Sequence, residues 1–226
     1  MKTSVSVLIA TCALTAMVAS VSAAPQMQNL RGTIVSSTAT SVTLKTASGP
    51  VTVHLGQKSA IASAAKATTA DIVPGTFLGI ASVPGGAVNR ALEVVVFDDS
   101  MRGFGEGDYA WDLSAPQGHS SMTNGTMAAS HSTMTNGTVA ASKLHSTMTN
   151  GAVGSMSGAG QKTITMNYKG GSRKLTVPAN APVVRVAPGN KSLLVVGASA
   201  FVVASKAATP EAAFVVVGKG GVKPPM

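Results

Sequence analysis

The chain has 226 residues, an aromatic fraction of 4%, a charged fraction of 11% and a formal net charge of +9. Val, Ala, Thr, Ser and 24 glycines in place of bulky residues argue against one large helical core and for small β modules with thin cores. The only cysteine, Cys12, lies in an apolar N-terminal stretch, so disulfides and thiol chemistry are excluded from an exported mature chain.

Residues 1–23 read as a secretory signal peptide. Lys2 gives the positive start, residues 5–18 the apolar core, and Val21-Ser22-Ala23 the small-residue site, with cleavage expected after Ala23. No later run approaches about 18 unbroken apolar residues, so no transmembrane span is expected after the signal. The expected location is periplasmic or secreted. The charge is uneven: from Gln161 onward there are nine Lys/Arg and one acid, Glu211. A basic half can attract an acidic surface, or dock on acids within the chain itself.

Residues 30–36 (LRGTIVS) and 42–45 read as strands, and Gly49-Pro50 as a turn. Val51, Val53 and Leu55 alternate with Thr52 and His54, the period of a half-buried strand. Residues 60–65 are ambiguous between strand and helix. Thr68 and Asp71 have capping-box spacing before Pro74-Gly75, which predicts one helical turn. Residues 76–82 and 90–97 then read as strands separated by Pro84-Gly85-Gly86.

The pattern recurs. Val42-Thr43-Leu44 matches Ile164-Thr165-Met166 at an offset of 122, as Gly75 matches Gly197. Ala91 and Val94-Val95-Val96 match Ala212 and Val215-Val216-Val217 at an offset of 121. FVVAS at 201–205 stands where FLGIAS stood at 77–82, and residues 152–156 take the place of 32–36. Repeated order, turns and spacing predict an all-β protein with two related small barrels of the OB or SH3-like kind. The expected division is signal peptide 1–23, first barrel 24–99, linker 100–149 and second barrel 150–226. A small split sandwich is the alternative for each half. Closure would hide the edges of a Val-rich sheet.

Within the linker, HSSMTNGTMAAS, HSTMTNGTVAASKL and HSTMTNGAVGSM form a second repeat, each unit with an Asn-Gly expected to turn. These units are too poor in bulk to form a core and read as a flexible, low-complexity connection. Before them lie residues 98–113, with five of the chain's eight acids and its only tryptophan.

The combination of MRGFGEGDYAWDL, SMTNGT, TITMNYKGG, VPANAPVVR and GKGGVKPPM resembles a family of bacterial exported proteins built from small β-barrel domains. Members often carry the automatic label "metal ABC transporter permease". The resemblance implies envelope location and a β-barrel fold, with no established activity and no catalytic residues. The permease label conflicts with a sequence that has no membrane-spanning helices. The family pattern has a single STMTN-type unit, so the threefold array is a local expansion.

The linker pairs His119 with Met122, His131 with Met134, and His145 with Met148. Imidazole plus thioether suits Cu(I) or Ag(I), although tandem duplication copies every residue of a unit and makes three repeats one observation. The acids at 98–112 could take a hard cation, but their spacing is not that of a calcium loop. The competing expectation packs Tyr109 and Trp111 on a barrel, with the acids solvated or paired to Arg102. Sparse aromatics and export argue against nucleic acid. No phosphate-binding loop and no Ser–His–acid pattern points to an enzyme. The expected function is therefore that of a non-enzymatic structural or interaction module of the envelope. It would contact an envelope protein or acidic surface through a barrel face or the Tyr109–Trp111 segment. The alternative is a soft-metal binder using the His/Met array.

Overall fold

The computed structural model describes residues 26–85, 87–113 and 146–224. Among them there is no α-helix, and no helix long and apolar enough to cross a membrane. Among the described residues thirteen strands form one continuous hydrogen-bonded sheet. The first half carries β1 (Met27–Ser37), β2 (Ser41–Thr46), β3 (Gly49–His54), β4 (Ala60–Ala67), β5 (Phe77–Val83), β6 (Asn89–Phe97) and β7 (Gly107–Trp111). The second carries β8 (Ser146–Ser157), β9 (Lys162–Tyr168), β10 (Gly171–Val177), β11 (Val183–Pro188), β12 (Ser199–Ser205) and β13 (Ala212–Gly218).

The protein is all-β and built on small barrels, as the sequence pattern requires. The local reasons are those of alternating strands. In β2, Val42 and Leu44 are buried while Lys45 is exposed; in β9, Ile164 and Met166 repeat the arrangement. Asp71 accepts from the Thr68 N–H at 2.8 Å, closing the expected turn as a single 3-10 turn at Thr69–Asp71. Gly75 and Gly197 follow the two equivalent turns with φ of 84° and 89°. A Cβ would meet nothing at either position, so backbone conformation, and not space, asks for glycine there.

The barrels are not assembled as the sequence order suggests, with each half wrapping on itself. Barrel one contains β1, β2 and β3 with β12 and β13 from the other half. Barrel two contains β8, β9 and β10 with β5 and β6. Barrel two closes through the parallel pair Leu175–Asn89 and Thr176–Arg90, and barrel one through the corresponding contact of His54 with Glu211. The two halves have exchanged their last two strands. The exchange turns on β4 and β11, which pair antiparallel with Ala64 opposite Val186. Those two residues are repeat equivalents, so a local twofold passes between them. Pairing on both sides, with β11 and β13, also settles residues 60–67 as strand.

The ladders correct two alignments. Bulges fall after Ile34 in β1 and after Val153 in β8, which places Gly32 with Gly151 and not with Ala152. Ile80 faces Val94 as Val202 faces Val215, so the equivalent of Phe201 is Gly79, not Phe77. The third linker unit also differs from expectation. Strand β8 begins at Ser146, and Asn150-Gly151 lies inside it instead of turning. Gly151 is packed against the Asn167 carbonyl, too close for any side chain, and ladder bonds to β5 hold this part of the strand extended. Residues 114–145, most of the expected linker, lie outside the described residues.

Three apolar cores result. Barrel one encloses Ile34, Leu44, Val53, Val202 and Val215. Barrel two encloses Ile80, Val94, Ile164, Met166 and Leu175. The third core lies on the opposite face of the shared strands. In β6, Val94 and Val96 face barrel two while Val95 and Phe97 face the third core; in β13, Val215 and Val217 face barrel one while Phe214 and Val216 turn the other way.

Candidate functional site

The third core fills the concavity of a run of strands ordered β7-β8-β5-β6-β11-β4-β13-β12-β1. No ladder joins β7 to β1, so this larger, third curl of the sheet stays open along a seam. Residues 98–113 lie across it. Their placement follows from their acids. Asp112 accepts both arms of the Arg31 guanidinium at 2.8 and 2.9 Å, and the Asn29 amide at 3.1 Å, which ties β7 to barrel one. Asp108 pairs with Arg173 and accepts from Thr149 at 2.7 Å, and Glu106 accepts from the Lys169 N–H at 2.9 Å, which ties the same segment to barrel two. Asp98 caps the next turn through Ser100, and Asp99 pairs with Arg102 at 3.0 Å. The expected Arg102 pair forms, and part of the basic second half does dock on this acidic segment.

These contacts set the charge states. Burial opposes ionisation of Asp112, but the hydrogen bonds from Arg31 and Asn29 outweigh it and hold the carboxyl below its ordinary value. At Asp71 the Thr68 backbone N–H and then Arg185 do the same.

Under the segment lies a chamber of about 430 Å³. Six of the chain's eight aromatic residues line it: Phe97, Phe104, Tyr109, Trp111, Phe201 and Phe214. Phe104 packs tilted against Phe214 with ring centroids 4.4 Å apart, Tyr109 meets Trp111 edge-on at 6.0 Å, and Trp111 lies tilted against Phe201 at 6.1 Å. The chamber opens at a rim where Met27, Phe104 and Tyr109 are 46%, 39% and 40% exposed. Among the described residues no charged side chain lines it. Gly79 keeps its floor free: a methyl there would sit 2.5 Å from Asn150 Oδ1 and 3.1 Å from Phe97.

The polar groups of the wall are few. Asn150, 5% exposed, donates through Nδ2 to the Gly105 carbonyl at 2.9 Å and to the Tyr109 hydroxyl at 3.0 Å. Its Oδ1 and the indole N–H of Trp111 have no partner among the described residues. An unmet buried polar group costs about 1–3 kcal/mol. Desolvation raises the Tyr109 pKa, so the phenol keeps its hydrogen at neutral pH.

Tyr109 and Trp111 are thus brought together, half-buried, on one wall. Of the proposed metal ligands, only Met148 is described. It is 2% exposed and packed in the third core beside the chamber. His119, Met122, His131, Met134 and His145 lie outside the described residues. Among the described residues no group of three His, Cys, Asp or Glu side chains could hold a metal. Sequence reasoning missed Phe97, Phe104, Asn150, Phe201 and Phe214. Phe97, Phe201 and Phe214 sit in strands apolar on both faces, where alternation gives no sign of which face leaves the barrel. No family model, curated protein or solved structure matches the chain.

Proposed function

We propose that the protein is a non-enzymatic binding module of the bacterial envelope, and that the aromatic chamber between its barrels is the binding site. The gathering of six aromatic side chains around an open, uncharged chamber carries this reading, in a chain with few aromatics. Binding pockets of about 300–1,000 Å³ with mostly apolar walls hold small ligands. Exposed apolar residues gathered at a rim, here Met27, Phe104 and Tyr109, mark such openings. The seam supports the same reading, because it is closed by the Arg31–Asp112 ion pair and not by a ladder, and an ion pair at a surface contributes little. The N-terminal signal pattern and the resemblance to exported proteins support envelope location.

The test is binding of the neutral dye N-phenyl-1-naphthylamine, followed by its emission and by quenching of Trp111. Saturable binding is expected, and Val203→Phe, which adds bulk on the chamber wall, should weaken it about tenfold. Unsaturable binding, or binding indifferent to Val203→Phe, would defeat the proposal.

A further inference from the structure

Resting on that reading, we infer that the chamber selects neutral, largely apolar molecules that carry an acceptor oxygen, such as an aryl ketone. Neutrality follows from the walls. Among the described residues no cation or anion lines the chamber, so a charged ligand would lose its hydration without gaining a counter-charge. The apolar body follows from the aromatic rings, which offer stacking and edge contacts.

The acceptor oxygen follows from the hydrogen bonds. The Tyr109 hydroxyl already accepts from Asn150 Nδ2 at 3.0 Å, so its lone pairs face inward and its own hydrogen is left to donate. No acceptor for that hydrogen is present among the described residues. The indole N–H of Trp111 also lacks an acceptor, but it is shut off from the open space and is not offered to a ligand. The Tyr109 hydroxyl is thus the donor on the chamber wall, and it asks for a ligand that accepts. A carbonyl oxygen has two lone pairs and carries no charge. A purely apolar ligand seated over the hydroxyl would leave that donor unmet.

The discriminating experiment titrates the purified protein with three molecules of similar shape: acetophenone, ethylbenzene and benzoate. The single indole N–H resonance of Trp111 and the adjacent amide signals report binding by NMR. Acetophenone should bind about tenfold more tightly than ethylbenzene, the worth of one neutral hydrogen bond. It should also shift the Trp111 ring signals, since that ring lines the chamber. Benzoate should not saturate. Tyr109→Phe should bring acetophenone to within about twofold of ethylbenzene and leave ethylbenzene unchanged. Asn150 keeps the Gly105 carbonyl as acceptor in that variant, and unchanged amide signals in the barrels would certify its fold. Equal binding of ethylbenzene and acetophenone, tighter binding of benzoate, or a preference that survives Tyr109→Phe would overturn the inference and leave the chamber as a site. Failure of all three to bind would overturn both.

Discussion

The two exits from the repeat make an instructive pair. After β6 the chain continues as residues 98–113, adds β7 to the edge of β8, and closes over the third core. After β13 it runs through Lys219, Gly220 and Gly221 to Val222, which packs on the same core without forming a strand on β1. Ser146–Asn150 of β8 and Met27–Arg31 of β1 are equivalent edges, yet only the first is covered by a ladder. The positions shared by the halves, such as Leu44 with Met166 and Ile80 with Val202, fill the barrels. The positions that differ, Gly79 against Phe201 and Asn150 against Arg31, surround the chamber or its seam. Repetition builds the scaffold, and departure from repetition makes the site.

The strongest challenge to this comparison is to cut the chain within residues 114–145. Each barrel draws strands from both halves, so the two pieces should remain one particle on gel filtration and separate only in denaturant. Two independent small particles would mean that the strands are not exchanged. Next in size are the equivalent core positions. Leu44→Ala and Met166→Ala should each cost about 2–5 kcal/mol. Because β4 and β11 join the barrels through a ladder, both variants should shift one common unfolding transition. Two transitions, with only one displaced by each variant, would show barrels that unfold separately.

Smaller effects distinguish the two anchors of the exit segment. Asp108 is mostly buried between Arg173 and Thr149. Asp108→Asn should cost about 1–3 kcal/mol in urea unfolding, the range for a buried charged hydrogen bond. Asp112 is about half exposed, so Asp112→Asn should cost only about 0.2–1 kcal/mol while widening the seam. The reverse ranking would place the stronger anchor at the seam.

How far could the sequence have led here? The all-β class, the glycine turns and the half-buried hairpins were legible, because period-two alternation and glycine at a positive φ are local signals. The strand exchange was not. Val94 and Val215 are chemically the same residue in the same context, so nothing in either copy says which barrel it will join. The choice depends on β4 and β11 pairing with each other, a long-range event. The exit segment was legible as a unit through its acids and Trp111, but not its partners: Arg31 and Arg173 are ordinary strand residues until the fold brings them near. Phe201 and Phe214 read as core, which they are, though of a third core that alternation cannot announce.

The finest test of the comparison uses pH, since Asp112 exists at one exit only. Its carboxyl lies below its ordinary value in the folded protein because Arg31 and Asn29 outweigh burial. An unfolded aspartate titrates at about 3.9. Above that value both states are ionised and the full stabilisation by the clasp is present. As pH falls below it, the unfolded state takes up a proton first, so stability declines until the folded carboxyl is protonated too. Asp71 and Asp98 are shifted the same way and contribute a common background. Urea midpoints measured from about pH 5 downward should therefore fall in the wild type and fall less steeply in Asp112→Asn. Salt should narrow the difference, because the pair is exposed enough to be screened. Arg173→Ala, by contrast, should leave the Asp112 part of the slope in place, since it loosens the other anchor. If the two variants flatten the pH profile equally, the anchors act as one unit and the asymmetry between the exits is not divided between two separate clasps.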